Sequence, residues 1–159
     1  MKKIIIISCI IALLSASLAF AENERNGNII ATIGFGAGST TRVQTESNIS
    51  FILDLNFISK TGFTICSTNI VGIHPAGGVS SQHIMFGAGY HFMRNRWNIG
   101  GAFLVSPLSM DVLFGGKING SFFLTDDIGI TGIFLHRRSG GITWEMSMFD
   151  VFVGASIRF

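Results

Sequence analysis

The chain has 159 residues, 48% of them hydrophobic and only 13% charged, with eleven Lys and Arg against nine Asp and Glu. So even a balance excludes the one-sided basic surface that nucleic acid requires, and two cysteines, one of them in the leader, exclude a disulfide-stapled scaffold. One domain's length of sequence remains, with no repeats, low-complexity segments or linkers.

Residues 1–21 have the three parts of a cleaved secretory signal peptide. Lys2 and Lys3 make the basic start, residues 4–18 the apolar run, and Ala19-Phe20-Ala21 the small-x-small cleavage site. The run falls short of the roughly 20 apolar residues that span a bilayer, and Cys9 lacks the small residues of a lipobox. The mature chain is expected to begin at Glu22 and to form a single domain over 22–159. Without Lys2 and Lys3 its nine basic residues balance its nine acidic ones, and Cys66 is its only thiol.

After the leader no stretch is long and apolar enough to be a transmembrane helix. The apolar residues instead alternate, which is the signature of strands. In chain order, Ile29, Ala31, Ile33 and Phe35 share a face of a first strand, and Ile49, Phe51, Leu53, Leu55 and Phe57 a face of a second. A third, over residues 63–73, is the least regular. Ile84, Phe86, Ala88, Tyr90 and Phe92 mark a fourth, and Trp97, Ile99, Gly101, Phe103 and Val105 a fifth. Val112, Phe114, Gly116, Ile118, Gly120, Phe122 and Leu124 belong to a sixth, and Ile128, Ile130, Gly132 and Phe134 to a seventh. The eighth carries Phe149, Val151, Val153, Ala155, Ile157 and Phe159.

No position on those faces is charged. The opposite faces hold Thr32, Asp54, Asn56, His91, Asn98, Lys117, Asn119, Asp150 and Arg158, mixed with Ile52, Met85, Leu104, Leu113 and Phe152. A soluble lipocalin-like barrel would bury its most apolar face, but this face carries too many large aromatics to pack inside eight strands. The pattern predicts an all-β fold, an antiparallel eight-stranded up-and-down transmembrane barrel with lipid against the apolar face and a polar, filled interior.

The connections agree. Residues 59–62, 93–96 and 125–127 are tight turns, whereas those around 39–47, 74–82, 106–109 and 137–147 are mostly longer, the alternation of periplasmic turns and external loops. Phe57, Phe63, Tyr90, Phe92, Trp97, Phe122 and Phe159 gather at the short-turn end as an interfacial belt.

Gly154, Ile157 and Phe159 resemble the terminal assembly signal of bacterial outer-membrane barrels, with Phe152 departing from the polar residue usual at its place. By architecture the whole mature chain resembles the small barrels of the OmpX, OmpW and OmpA-membrane-domain type; its isoleucine-rich leader suggests an AT-rich genome, and a spirochaetal group of small barrels is the subfamily it is taken to resemble. The resemblance implies an outer-membrane protein with both termini in the periplasm, monomeric, surrounded by outer-membrane lipids, and handled by periplasmic chaperones and the outer-membrane assembly machinery, which would read Phe159.

Function is less legible. An eight-stranded interior is just wide enough to be filled by side chains, so the leading reading is a non-enzymatic envelope-structural or surface-interaction barrel without cofactor or metal. OmpW-like passage of small hydrophobic molecules is the alternative, motivated by the apolar residues on the interior face. A lipid A deacylase is a remoter one: His136, Ser139 and Glu145 sit where such enzymes carry a His-x-Ser pair, but a spacing of three puts His136 and Ser139 on opposite faces of a strand. Arg137, Arg138, Trp144 and Glu145 are the candidate external contacts to a glycolipid or host protein. Lys117 and Asp54, both inward near mid-barrel, are expected to meet across the lumen with Asn56, Asn119 or waters completing a network, because an unpaired buried charge is costly.

Overall fold

A computed structural model describes residues 28–41, 45–73, 79–106, 112–139 and 147–159. The leader reading for residues 1–21, Trp144 and Glu145 lie outside these. Eight strands follow one another: β1 (Asn28–Thr41), β2 (Thr45–Ile58), β3 (Phe63–Ile73), β4 (Val79–Arg94), β5 (Trp97–Ser106), β6 (Leu113–Phe123), β7 (Ile128–Ser139) and β8 (Ser147–Arg158). Each pairs antiparallel with the next, and β1 with β8, so the sheet closes into a barrel. Closure leaves no strand edge, the condition for placing strands in hydrocarbon.

The strands are tilted. From Leu55 the register runs one way through Ser67, Phe86 and Val105 to Phe114, at one end of β6. The other way it runs through Ala31 and Ile157 to Ile128, whose carbonyl accepts from Leu124 N beyond the other end of β6. A closed sheet with such a stagger must incline its strands to the barrel axis.

Period-two alternation then sorts every strand. Ile33 is 69% exposed and Phe35 66%, while between them Gly34, and beside them Thr32, face inward. Tyr90, Phe92, Trp97, Ile118, Val153 and Phe159 likewise stand outward, and Trp97 packs on Phe122 with ring centroids 4.7 Å apart. β3, the least regular strand by sequence, alternates in burial along its whole length, and its pairing with β4 shifts register only between Gly72 and Ile73. Its inward residues Thr64, Cys66 and Thr68 are small or polar and its outward side includes Ser67 and Asn69, so hydropathy contrast is weak although the geometry alternates.

The strands also extend further at the long-loop end than the sequence reading allowed. β1 runs to Thr41, β2 starts at Thr45, β4 starts at Val79 and β7 runs to Ser139. Polar residues there keep the ladder because pairing needs only backbone groups, as at Ser39↔Ser47 and Arg138↔Ser147. At the other end the turns are tight. Gly62 adopts φ +89°, a region L-residues avoid, and a Cβ there would stand 2.5 Å from His91 O. Asn95, at φ 51°, uses the tolerance of asparagine for the same region.

The core is the lumen. At the short-turn end Ile30, Ile58 and Phe123 form an apolar floor with Met93 packed against it. A larger cluster, including Ile52, Ile70, Met85, Leu104, Leu135 and Phe152, fills the part toward the loops. Between them the inward residues are polar.

Candidate functional site

The polar middle of the lumen is built around Lys117. β2 and β6 are four strands apart either way round the sheet, so Asp54 and Lys117 face each other across the barrel. Lys117 is flanked by Ala102 on β5 and Leu135 on β7. The short alanine leaves its stem a path across the lumen. Its ammonium donates to Asp54 Oδ1 at 2.7 Å, to Asn56 Oδ1 at 2.9 Å and to Thr68 Oγ1 at 3.5 Å. Asp54 also accepts from Asn56 Nδ2 and Thr68 Oγ1, each at 2.6 Å. Both charged side chains are wholly buried. A buried ion pair is tolerable only when its remaining donors and acceptors are also met, and Asn56 and Thr68 do that here.

The structure therefore brings Asp54, Asn56 and Lys117 together and adds Thr68, which the sequence reading missed. Thr68 pairs with Asp54 on the neighbouring strand, but only a register places it there. Asn119 is inward and buried near the network without joining it, and among the described residues its Oδ1 has no hydrogen-bond partner.

Below the bridge lies a row of hydroxyls. Thr32 Oγ1 and Ser156 Oγ are 2.7 Å apart, Thr131 Oγ1 donates to Ser121 Oγ at 2.7 Å, and Thr131 also meets Ser156. These short side chains close the gaps where neighbouring strands approach. Alongside, His91 Nδ1 and Asn98 Oδ1 are 3.0 Å apart. The Arg158 guanidinium covers the floor from outside, 4.5 Å over the Phe123 ring.

Arg137 corrects the sequence reading. It is not a loop contact but an inward residue of β7, 3% exposed, donating through Nη2 to Asp150 Oδ2 at 2.5 Å and through Nε at 3.2 Å. The physical signal was present: Ile133, Leu135 and Arg137 are in phase, and the strand continues past His136 because its backbone still has β6 and β8 to bond. Asp150, opposite Leu135 on β8, is the counter-charge. Arg138, in the opposite phase, is exposed on the outer wall.

His136 and Ser139 are not brought together. His136 lies on the outer wall, stacked on Phe149 at 4.4 Å and bonded through Nε2 to Ser147 Oγ at 3.0 Å, whereas Ser139 faces inward and is 5% exposed. Among the described residues no group of His, Cys, Asp and Glu is arranged to hold a metal. Cys66 is an inward, buried free thiol. At the seam, Gly154 faces Gly34 on β1. Ile157 stands outward, and Phe159, 70% exposed, ties its backbone N to Ile29 O at 2.9 Å.

No protein-family model matches the chain, and no curated protein does. Solved structures do. The chain is similar to Neisserial surface protein A (NspA), with a TM-score of 0.64 and 10% identity over 84% of this chain and 97% of that one. It is also similar to Ail, the attachment invasion locus protein of Yersinia pestis, with a TM-score of 0.58 and 12% identity over 84% and 99% of the two chains. A second Ail structure, in complex with the heparin analogue sucrose octasulfate, aligns with a TM-score of 0.57 and 11% identity. At such identities the shared property is the fold, that of the small eight-stranded outer-membrane β-barrels.

Proposed function

We propose that the chain is an integral outer-membrane barrel with a closed lumen and a non-enzymatic role in envelope structure or surface interaction, its short turns and both barrel termini facing the periplasm. The observation that carries the closed lumen is the crossing of the barrel by Lys117 and Asp54, wholly buried and bonded at 2.7 Å, with Arg137 and Asp150 paired nearer the loops. Ile52, Met85, Leu104, Leu113 and Phe152, the residues that motivate hydrophobic passage, are each at most 4% exposed and belong to one packed cluster. That supports a filling role for them. The separation of His136 from Ser139 across the wall of β7 supports a non-enzymatic reading over a lipid A deacylase.

The surface role is supported by the fold shared with a surface protein and with an attachment protein. In this reading lipids surround the outer wall, and the segments joining the strands at the long-loop end, which include Trp144 and Glu145, meet any glycolipid or host ligand. Periplasmic chaperones and the assembly machinery would deliver the barrel.

One set of measurements tests the proposal. Purified barrel in planar bilayers should show no discrete ion conductance and bind no small hydrophobic probe, and cells expressing it should keep their lipid A acylation pattern by mass spectrometry. Steady single-channel steps, saturable probe binding or shortened lipid A would overturn the corresponding part.

The orientation of the wall has its own test. Ile118 is 62% exposed midway along β6. Replacing it by Arg should lower unfolding stability in lipid bilayers by about 2–4 kcal/mol, the cost of an arginine near the bilayer midplane. A soluble barrel would tolerate that surface substitution within about 0.5 kcal/mol, so a neutral result defeats the membrane reading.

A further inference from the structure

Between the apolar floor and the Lys117–Asp54 bridge, three buried polar atoms have no partner among the described residues: His91 Nε2, Asn98 Nδ2 and Asn119 Oδ1. Their residues are 1%, 0% and 2% exposed. They stand on the consecutive strands β4, β5 and β6, and Gly100 lies between them, paired with His91 on one side and Asn119 on the other. Gly100 makes the room. A Cβ there would sit 2.2 Å from His91 Cδ2, so the imidazole lies over the bare backbone. Buried groups of this kind are rarely left unmet, and in a polar space large enough they are met by ordered water.

The chemistry of the three atoms specifies what fits. Asn98 Oδ1 can only accept, so His91 Nδ1, 3.0 Å away, is the donor. In the neutral ring Nε2 then presents a lone pair. Asn119 Oδ1 is a second acceptor and Asn98 Nδ2 a donor. A small molecule that meets all three gives two protons and receives one. A cation would meet two acceptors but be repelled by the Asn98 N–H and lies under the Lys117 ammonium. An anion would find one donor only.

We infer that the periplasmic half of the lumen encloses an ordered water site, in which water donates to His91 Nε2 and Asn119 Oδ1 and accepts from Asn98 Nδ2. The site is shut on one side by Ile30, Ile58 and Phe123 and on the other by the ammonium–carboxylate bridge. A water held between an apolar cluster and a buried ion pair is expected to exchange slowly with bulk solvent. The inference does not depend on the surface role proposed above.

Nitrogen NMR of the intact barrel in detergent micelles tests it. His91 should be the neutral Nδ1–H tautomer with Nε2 shifted as a hydrogen-bond acceptor, and its ring protons and the Asn98 side-chain amide should show cross-peaks to long-lived water. Absence of those water cross-peaks, or a direct His91–Asn119 contact in their place, overturns the inference. Asn119→Leu removes one acceptor and fills the space, so in folded protein, verified by the heat-dependent gel shift, it should abolish the water cross-peaks at His91. Their persistence in that folded variant also overturns it. If the variant does not fold, the wild-type spectra alone decide.

Discussion

Gly154→Val is expected to prevent barrel closure, leaving protein that refolds into detergent without the heat-dependent gel shift of a closed barrel. Gly154 opposes Gly34 at the β1–β8 seam, where a Cβ on Gly154 would lie 2.3 Å from Ile33 O and 2.7 Å from Gly34 Cα. These are backbone atoms of the opposing strand and have no rotamer to escape into, so the seam must open. Each backbone group then left unpaired in hydrocarbon costs several kcal/mol. A few such groups exceed the roughly 5–15 kcal/mol by which a typical domain is stable. Gly132→Val is the control: a Cβ at Gly132 has nothing within 4 Å, and valine suits a strand. It should fold normally. A Gly154→Val barrel with an ordinary gel shift and β-sheet circular dichroism would show that the seam yields.

Lys117→Met is expected to lower unfolding stability in lipid by about 3–5 kcal/mol, the usual cost of stranding one member of a buried ion pair. Asp54 would remain wholly buried, held by Asn56 Nδ2 and Thr68 Oγ1 but without its counter-charge. Asp54→Leu should cost as much, by leaving the ammonium stranded. The double variant should regain most of the loss, because with both charges gone the lumen packs as an apolar layer continuous with Ile52, Leu104 and Phe152. Urea titration of the two single variants and the double gives the coupling directly. Additive losses would mean that the two charges are solvated separately rather than by each other.

The outer wall was legible in the sequence for a physical reason. In the membrane reading the rule acts residue by residue: outward positions in the middle of the wall must be tolerable to lipid, so period-two alternation of uncharged residues over Ile33, Phe35, Phe103, Ile118 and Val153 is written directly into the chain. Turn chemistry is also local, as at Gly62 and Asn95. The weak contrast of β3 hid its alternation, since Ser67 and Asn69 stand on the outward side where hydrophobic residues would otherwise mark it.

The lumen obeys a different rule, in which a residue is satisfied by others far along the chain. Lys117 and Asp54 are both polar-phase residues at mid-strand, and that much is local. That Thr68 completes their shell, that Asn119 stays outside it, and that Arg137 turns inward to Asp150 instead of serving an external loop depend on register and stagger. Those quantities emerge only when the eight strands close.

By itself, then, the sequence determined the strand phases, the short-turn end and the lipid-compatible face, because each rests on periodicity or on the backbone preferences of single residues. The tertiary structure alone decided which buried polar groups meet, which find no partner among the described residues, and where β7 ends. Hydrogen bonds and ion pairs have ångström-scale reach, and only the closed, tilted sheet brings residues as distant as Asp54 and Lys117 to 2.7 Å.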